Sequence, residues 1–250
     1  MKTFGKILYQ PYKWLIYIPL LAVSTVGFGV FAIVLSFFNK RLSSQIGGAG
    51  WARLNGMAIP MKVKIAGKEH IRKNQSYVIV ANHQSFVDIL IMYGWLGLDI
   101  RWVMKAELRK TPVLGIACKR VGHIFVNRSN TKESLESINQ AKKDIVNGTS
   151  VIFFPEGTRS RTGELGKFKK GAFRLALDLN LPILPVTIRG AREILPPGGI
   201  DLKPGTAQMI IHPPVEINQY SEENLMELMD RVRDIIQRGQ EADKVMAVRL

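Results

Sequence analysis

The residues with the strongest chemical character lie in Asn82-His83-Gln84-Ser85-Phe86-Val87-Asp88. His83 and Asp88 are five apart, which on a continuous helix would set them about 140° apart on different faces. They can meet only across a turn. With Ser85 as the N-cap and Asp88 as the third helical residue, His83 falls just outside the helix and can fold back toward the carboxylate. In such a dyad Asp88 accepts the imidazole N–H and fixes the tautomer, and the second ring nitrogen is left as a general base. The base has no serine or cysteine nucleophile of its own, which points to a hydroxyl supplied by the substrate. The same residues also spell an ordinary helix start, so the dyad needs company before it means catalysis.

Two further groups supply that company. Phe154-Pro155-Glu156-Gly157-Thr158-Arg159-Ser160 follows an apolar run. Gly157 allows a tight turn whose N–H groups can face an anion, and Arg159 offers the planar fork that suits phosphate. Lys105 and Arg128 each close a predicted strand, where the ligand-binding loops of open α/β sheets gather. Other chemistries are struck off by inspection: the chain has no G-x-S-x-G elbow, P-loop, H-E-x-x-H or Cys/His metal pattern. No metal ligand set is expected from its four dispersed histidines, and Cys118, the only cysteine, can form no internal disulfide.

These residues need a frame. Short apolar runs at 61–67, 77–82, 100–104, 123–127, 150–154, 182–188 and 207–212 read as strands. Between them lie helical stretches from Asn130 to Gly148, with Asn130 and Glu133 as a capping pair, and from Ala172 to Asn180. A last helix is expected from Ser221, burying Leu225, Leu228, Met229, Val232 and Ile236. Alternating strands and helices predict an α/β fold, a mixed, mainly parallel sheet flanked by helices.

Ahead of that frame the charge is lopsided. The first 68 residues hold nine basic residues and no acidic one, whereas the whole 250-residue chain carries +15. Such a basic end suits a polyanion, and the neighbouring residues favour lipid over nucleic acid. From Trp14 to Asn39 there is no charge, a run long enough to cross about 30 Å of hydrocarbon. Lys13 and Lys40 bracket it, and Trp14, Tyr17, Phe37 and Phe38 suit the interface. Residues 44–60 form a second, weaker helix with Ile46, Trp51, Leu54 and Ala58 on one side. Basic flanks at both ends favour a helix pair dipping into one leaflet over a clean span. The expected organisation is therefore a membrane-anchoring segment over 1–60 and an α/β domain over 61–250.

Together the motifs resemble the glycerolipid acyltransferase family, in particular the lysophosphatidic acid acyltransferases. N-H-x-S-x-x-D matches at Asn82 to Asp88, and K-x-E-L leading to G-x-I-F-V-x-R at Lys105 to Arg128. F-P-E-G-T-R-S matches at Phe154 to Ser160, with Phe168-Lys169-Lys170-Gly171-Ala172-Phe173 and Leu184-Pro185-Val186 following in order. His123 and Asn127 depart from the pattern, standing where many members have a small residue and an aspartate. The resemblance implies acyl transfer from a thioester of coenzyme A or acyl carrier protein to the sn-2 hydroxyl of lysophosphatidic acid, with no bound cofactor. It implies His83 and Asp88 as catalytic, and Lys105, Arg128, Gly157, Thr158 and Arg159 around the acceptor's phosphate. Glu156 would orient that loop or touch the glycerol, and N–H groups near Ser85 or Gly157 would receive the oxyanion. The implied setting is a membrane, with the catalytic domain on the cytoplasmic face against anionic headgroups. The rival readings are transfer to another lysolipid and a membrane-tethered, non-catalytic lipid-binding protein.

Overall fold

A computed structural model describes residues 9–247; Lys2 and Lys6 lie outside them. Helix α1 runs over Tyr9–Ser36 and is long and apolar enough to cross a membrane. After a turn, α2 covers residues 40–58. The α/β part follows as β1 (Met61–Ala66), β2 (Val78–Ala81), α3 (Val87–Trp95), β3 (Asp99–Lys105), α4 (Leu114–Val121) and β4 (Ile124–Val126). It continues with α5 (Thr131–Ala141), β5 (Thr149–Phe153), α6 (Gly171–Leu179), β6 (Ile183–Arg189), α7 (Ala191–Ile194), β7 (Gly205–Ile211) and α8 (Leu225–Ala247).

The strands form one sheet in the order β1-β7-β6-β2-β5-β3-β4. All neighbours are parallel except β6 and β7. The expected mixed, mainly parallel sheet is therefore present. All four residues of β2 are buried, as a central strand covered on both faces requires. Alternation divides them: Val78 and Val80 join the core under α6 and α8, and Ile79 and Ala81 the core under α3. The last helix starts at Leu225, four residues later than expected. Ser221 is held in the preceding turn, where its N–H donates to the Asn224 side chain at 2.6 Å.

The N-terminal helices form a hairpin that packs into this core, since Tyr17, Ala52 and Ile59 belong to the same apolar cluster as Ile79 and Leu90. Along α2 Ile46 is exposed, and the buried residues are Ser43, Ser44, Gly47, Ala52, Asn55 and Gly56. Small residues let the backbones close up: a Cβ on Gly48 would lie 2.1 Å from the Tyr93 ring of α3. Polar groups inside the hairpin pair with one another, Asn55 with Ser24 at 3.0 Å and Ser43 with the Ala32 carbonyl at 2.7 Å. That pairing offsets their burial.

Both ends of α1 touch the α/β part. Lys13 donates to the Ile200 carbonyl at 3.2 Å; at the far end Arg120 lies over the Phe37 ring at 4.3 Å, and Lys40 faces Asp144 at 3.9 Å. Between these ends the helix exposes Leu15, Val23, Val26, Val30 and Val34. Two expectations for the flanks are corrected here. Lys13 and Tyr17 are buried rather than set at an interface, because both lie on the face of α1 that packs on the α/β part, Lys13 against Ile200 and Tyr17 in the core cluster.

Candidate active site

The site is assembled at the carboxyl ends of β2, β5, β3 and β4, four consecutive neighbours in the sheet. Asn82, directly after β2, is fully buried and continues the sheet with its side chain. It donates to the Ile188 carbonyl at 2.8 Å and accepts the Ile188 N–H at 2.7 Å. This pins the chain just before His83.

The turn that follows has the reciprocal bonds of the expected capping box, with the helix starting at Val87 one residue later than expected. Ser85 Oγ accepts the Val87 N–H at 3.1 Å, and Asp88 Oδ2 accepts the Ser85 N–H at 2.8 Å. The same oxygen accepts from Gln84 N–H at 2.7 Å and lies 2.9 Å from His83 Nδ1. Asp88 is completely buried, and its Oδ1 has no hydrogen-bond partner among the described residues. A buried carboxylate facing donors on one oxygen holds Nδ1 as its proton-bearing nitrogen. Nε2 of His83 has no partner among the described residues and is left to accept a proton.

The loop after β5 packs directly on this dyad. The Phe154 ring stacks on the imidazole, centroids 3.9 Å apart and planes 9° from parallel. Glu156 Oε1 accepts the His83 N–H and Oε2 the Gly166 N–H, both at 2.9 Å. Burial raises the Glu156 carboxyl above its ordinary range, opposed by these two N–H groups. Of the two roles open for Glu156, the geometry is that of loop orientation, with both oxygens engaged by backbone. Gly157 takes φ +75, the left-handed region that glycine enters without strain. A Cβ there would also meet the Lys169 ammonium at 2.9 Å, so that side chain lies over the turn.

The cations gather around this turn unequally. Arg128 Nη1 donates to the Gly157 carbonyl at 2.6 Å and ties the β4 loop to the β5 loop. Lys105 pairs with Glu107 at 2.8 Å, and the Glu107 carboxyl is held below its ordinary range by that bond, with Arg128 adding to the effect. Thr158 and Arg159 are exposed, and Arg159 has no side-chain partner among the described residues. Of the N–H groups in the two stretches expected to receive an oxyanion, that of Ser85 is engaged by Asp88 and that of Gly157 by the Phe154 carbonyl at 3.0 Å.

Two residues here had no role assigned from sequence. Phe154 and Lys169 both lie inside motifs, but what they touch is set by the meeting of β2 and β5 loops 70 residues apart in the chain. The arrangement as a whole can take a proton from a hydroxyl beside a cationic turn suited to phosphate.

A family profile described as Acyltransferase matches residues 62–189. A 1-acyl-sn-glycerol-3-phosphate acyltransferase of Brassica napus is 37% identical over 157 residues, 62% of this chain and 45% of that protein. The alpha form from Homo sapiens is 31% identical over 174 residues, 69% of this chain and 62% of its own length. The crystal structure of the 1-acyl-sn-glycerophosphate acyltransferase PlsC from Thermotoga maritima is 30% identical, covers 98% of both chains and superposes with a TM-score of 0.80. The chain thus spans about half the length of the plant relative and nearly all of the bacterial structure.

Proposed function

Since the chain belongs to the acyltransferase family, we propose that it moves an acyl group from a thioester to the sn-2 hydroxyl of lysophosphatidic acid, giving phosphatidic acid. The observation that carries this reading is the His83–Asp88 pair, 2.9 Å apart, with Nε2 open beside the cationic turn. His83 takes the proton of the acceptor hydroxyl as that oxygen attacks the thioester carbonyl. The tetrahedral intermediate then expels the thiolate, which takes the proton from the imidazolium and leaves as free thiol. Asp88 stays ionised and stabilises the imidazolium between the two transfers. Positioned proton transfer of this kind is worth about 10² to 10⁴ in rate. Arg159 and Arg128, with Lys105 and Thr158, hold the acceptor's phosphate; Gly157 shapes the turn that presents them, and Glu156 keeps the two loops in register. The donor is acyl-CoA or acyl carrier protein, used as a co-substrate with no resident cofactor.

The reaction belongs at a membrane surface. Both ends of α1 contact the same α/β part, which supports a hairpin entering one leaflet over a span with its ends on opposite sides. In this reading the α/β part faces the cytoplasm, and the exposed basic residues Arg41, Lys62, Lys64 and Lys68 meet anionic headgroups at about 1 kcal/mol each. Incubating the purified protein with an acyl thioester, with and without lysophosphatidic acid, tests the proposal. Acceptor-dependent thiol release with phosphatidic acid formed is the expected result. Acceptor-independent release makes it a hydrolase, and no release leaves a lipid-binding protein.

A further inference from the structure

Lys13 is an unusual residue for an apolar helix. It is only 4% exposed, its Nζ donates to the Ile200 carbonyl at 3.2 Å, and the ring of Trp14 lies 4.8 Å away. An ammonium has three protons to place, and no carboxylate pairs with this one among the described residues. Asp201, the nearest acid along the loop, is held by Lys203. A buried ammonium bonded to a single carbonyl has donors to spare, which points to an anion that takes them.

The surroundings define that anion. Lys13 lines a cavity of about 170 Å³ with Tyr17, Leu21, Ile59, Val87 and Leu202, apolar apart from the ammonium and a phenol. The hydroxyl of buried Tyr17 also has no partner among the described residues. Both polar groups lie in the π-helical stretch Lys13–Tyr17, and such departures from α geometry recur at functional sites. The rim is apolar as well: Trp14 and Ile18 are exposed, and Ile200 is 70% exposed at the tip of its loop. A free inorganic anion would gain nothing from those walls, whereas a lipid places its charge and its chain where the cavity has a cation and apolar sides.

We propose that this cavity binds an anionic diacyl glycerophospholipid of the bilayer, its phosphodiester on Lys13 and one acyl chain passing Tyr17 and Leu21 onto the exposed face of α1. The site is separate from the cationic turn at Gly157 and does not depend on the reaction assigned above. Its wall is nevertheless Val87, the residue before Asp88, so the lipid seats the start of α3.

Trp14 reports on occupancy. The full chain is placed in phosphatidylcholine bilayers containing brominated phosphatidylglycerol or brominated phosphatidylcholine, with no thioester or lysolipid, and quenching of Trp14 is taken as the difference from Trp14→Phe. Half-quenching is expected at about tenfold lower fraction of the anionic lipid, the preference of one charge-assisted contact. Lys13→Met and Lys13→Gln should each abolish that preference, Lys13→Arg should keep it, and inorganic phosphate should not displace the lipid. Arg128→Ala with Arg159→Ala should retain it in full. Equal quenching by the two lipids in the wild type, a preference surviving in a folded Lys13→Met or Lys13→Gln protein, displacement by phosphate, or loss on removing Arg128 and Arg159 would each overturn the assignment. The wild-type comparison decides even if the variants fold poorly.

Discussion

Phe154 lies flat on the imidazole of His83, 3.9 Å between centroids, while Asp88 holds the edge of the same ring. The imidazole is thus fixed in two directions, in its plane by the carboxylate and across it by the ring of Phe154. Trp102 continues the aromatic stack at 5.8 Å from Phe154, and Tyr93 lies edge-on to Trp102 at 5.7 Å. Phe154→Ala should therefore lower kcat about tenfold by letting the base wander, within the range that misorientation of a catalytic group costs. Phe154→Leu should restore part of it. Steady-state kinetics on both variants check this, and an unchanged kcat for Phe154→Ala would separate the stack from catalysis.

His83→Ala should abolish transfer, by at least about 100-fold, while leaving the melting profile intact. Asp88→Asn should fall in the same direction, because an amide cannot stabilise an imidazolium, and should also loosen the turn by weakening the acceptance of Ser85 and Gln84 N–H. Turnover within threefold of wild type in a folded His83→Ala protein would remove the general base from the mechanism.

Arg159→Ala and Arg128→Ala should weaken use of the phosphate-bearing acceptor far more than of the thioester. A charge-assisted hydrogen bond is worth about 1.5 to 3 kcal/mol, so kcat/KM for the acceptor should drop tenfold or more. Arg128→Ala should carry an added loss from release of the Gly157 carbonyl. Equal losses for both substrates would make the arginines structural or donor-binding.

His123 is buried beside Tyr93 and Trp102, and burial together with Arg101 lowers its pKa to about 3. A histidine with a depressed folded pKa contributes stability that is complete above its unfolded value near 6.5 and is lost as pH falls toward the folded one. Wild-type stability should therefore decline as pH falls from 6.5 to 4. His123→Gln, which cannot titrate, should show a shallower decline in denaturant titrations over that range. Parallel pH profiles would show that the burial of His123 carries no such linkage.

The one-leaflet arrangement makes cysteines at positions 11 and 40, on either side of the apolar run of α1 and both exposed, reach the same compartment. In a Cys118→Ala background each should react with an impermeant thiol reagent only after cells are opened. Labelling of either in intact cells would establish a true span.

Much of the frame was legible from sequence because it rests on short-range pattern: each strand is an apolar run stopped by a turn residue, and the Ser85–Asp88 capping box is written in four positions. What escaped was set at long range. Lys13 reads as a flanking charge, but its burial depends on a loop 187 residues away. The side of α2 that packs was not legible either: helices approach closest where side chains are smallest, and that face is marked by serines and glycines. Which N–H groups near Ser85 or Gly157 are open was equally hidden: Asp88 occupies that of Ser85 and the Phe154 carbonyl that of Gly157.

The close seat of Gly48 on the Tyr93 ring makes α2 the outer wall of the helix that begins at the dyad. A protein shortened to start at β1 would bare Tyr93 and Trp95 to water and take the support from one side of α3. The hairpin is therefore a staple for the helix that carries Asp88: the contacts that seat α2 on α3 are the same ones that keep the base aligned.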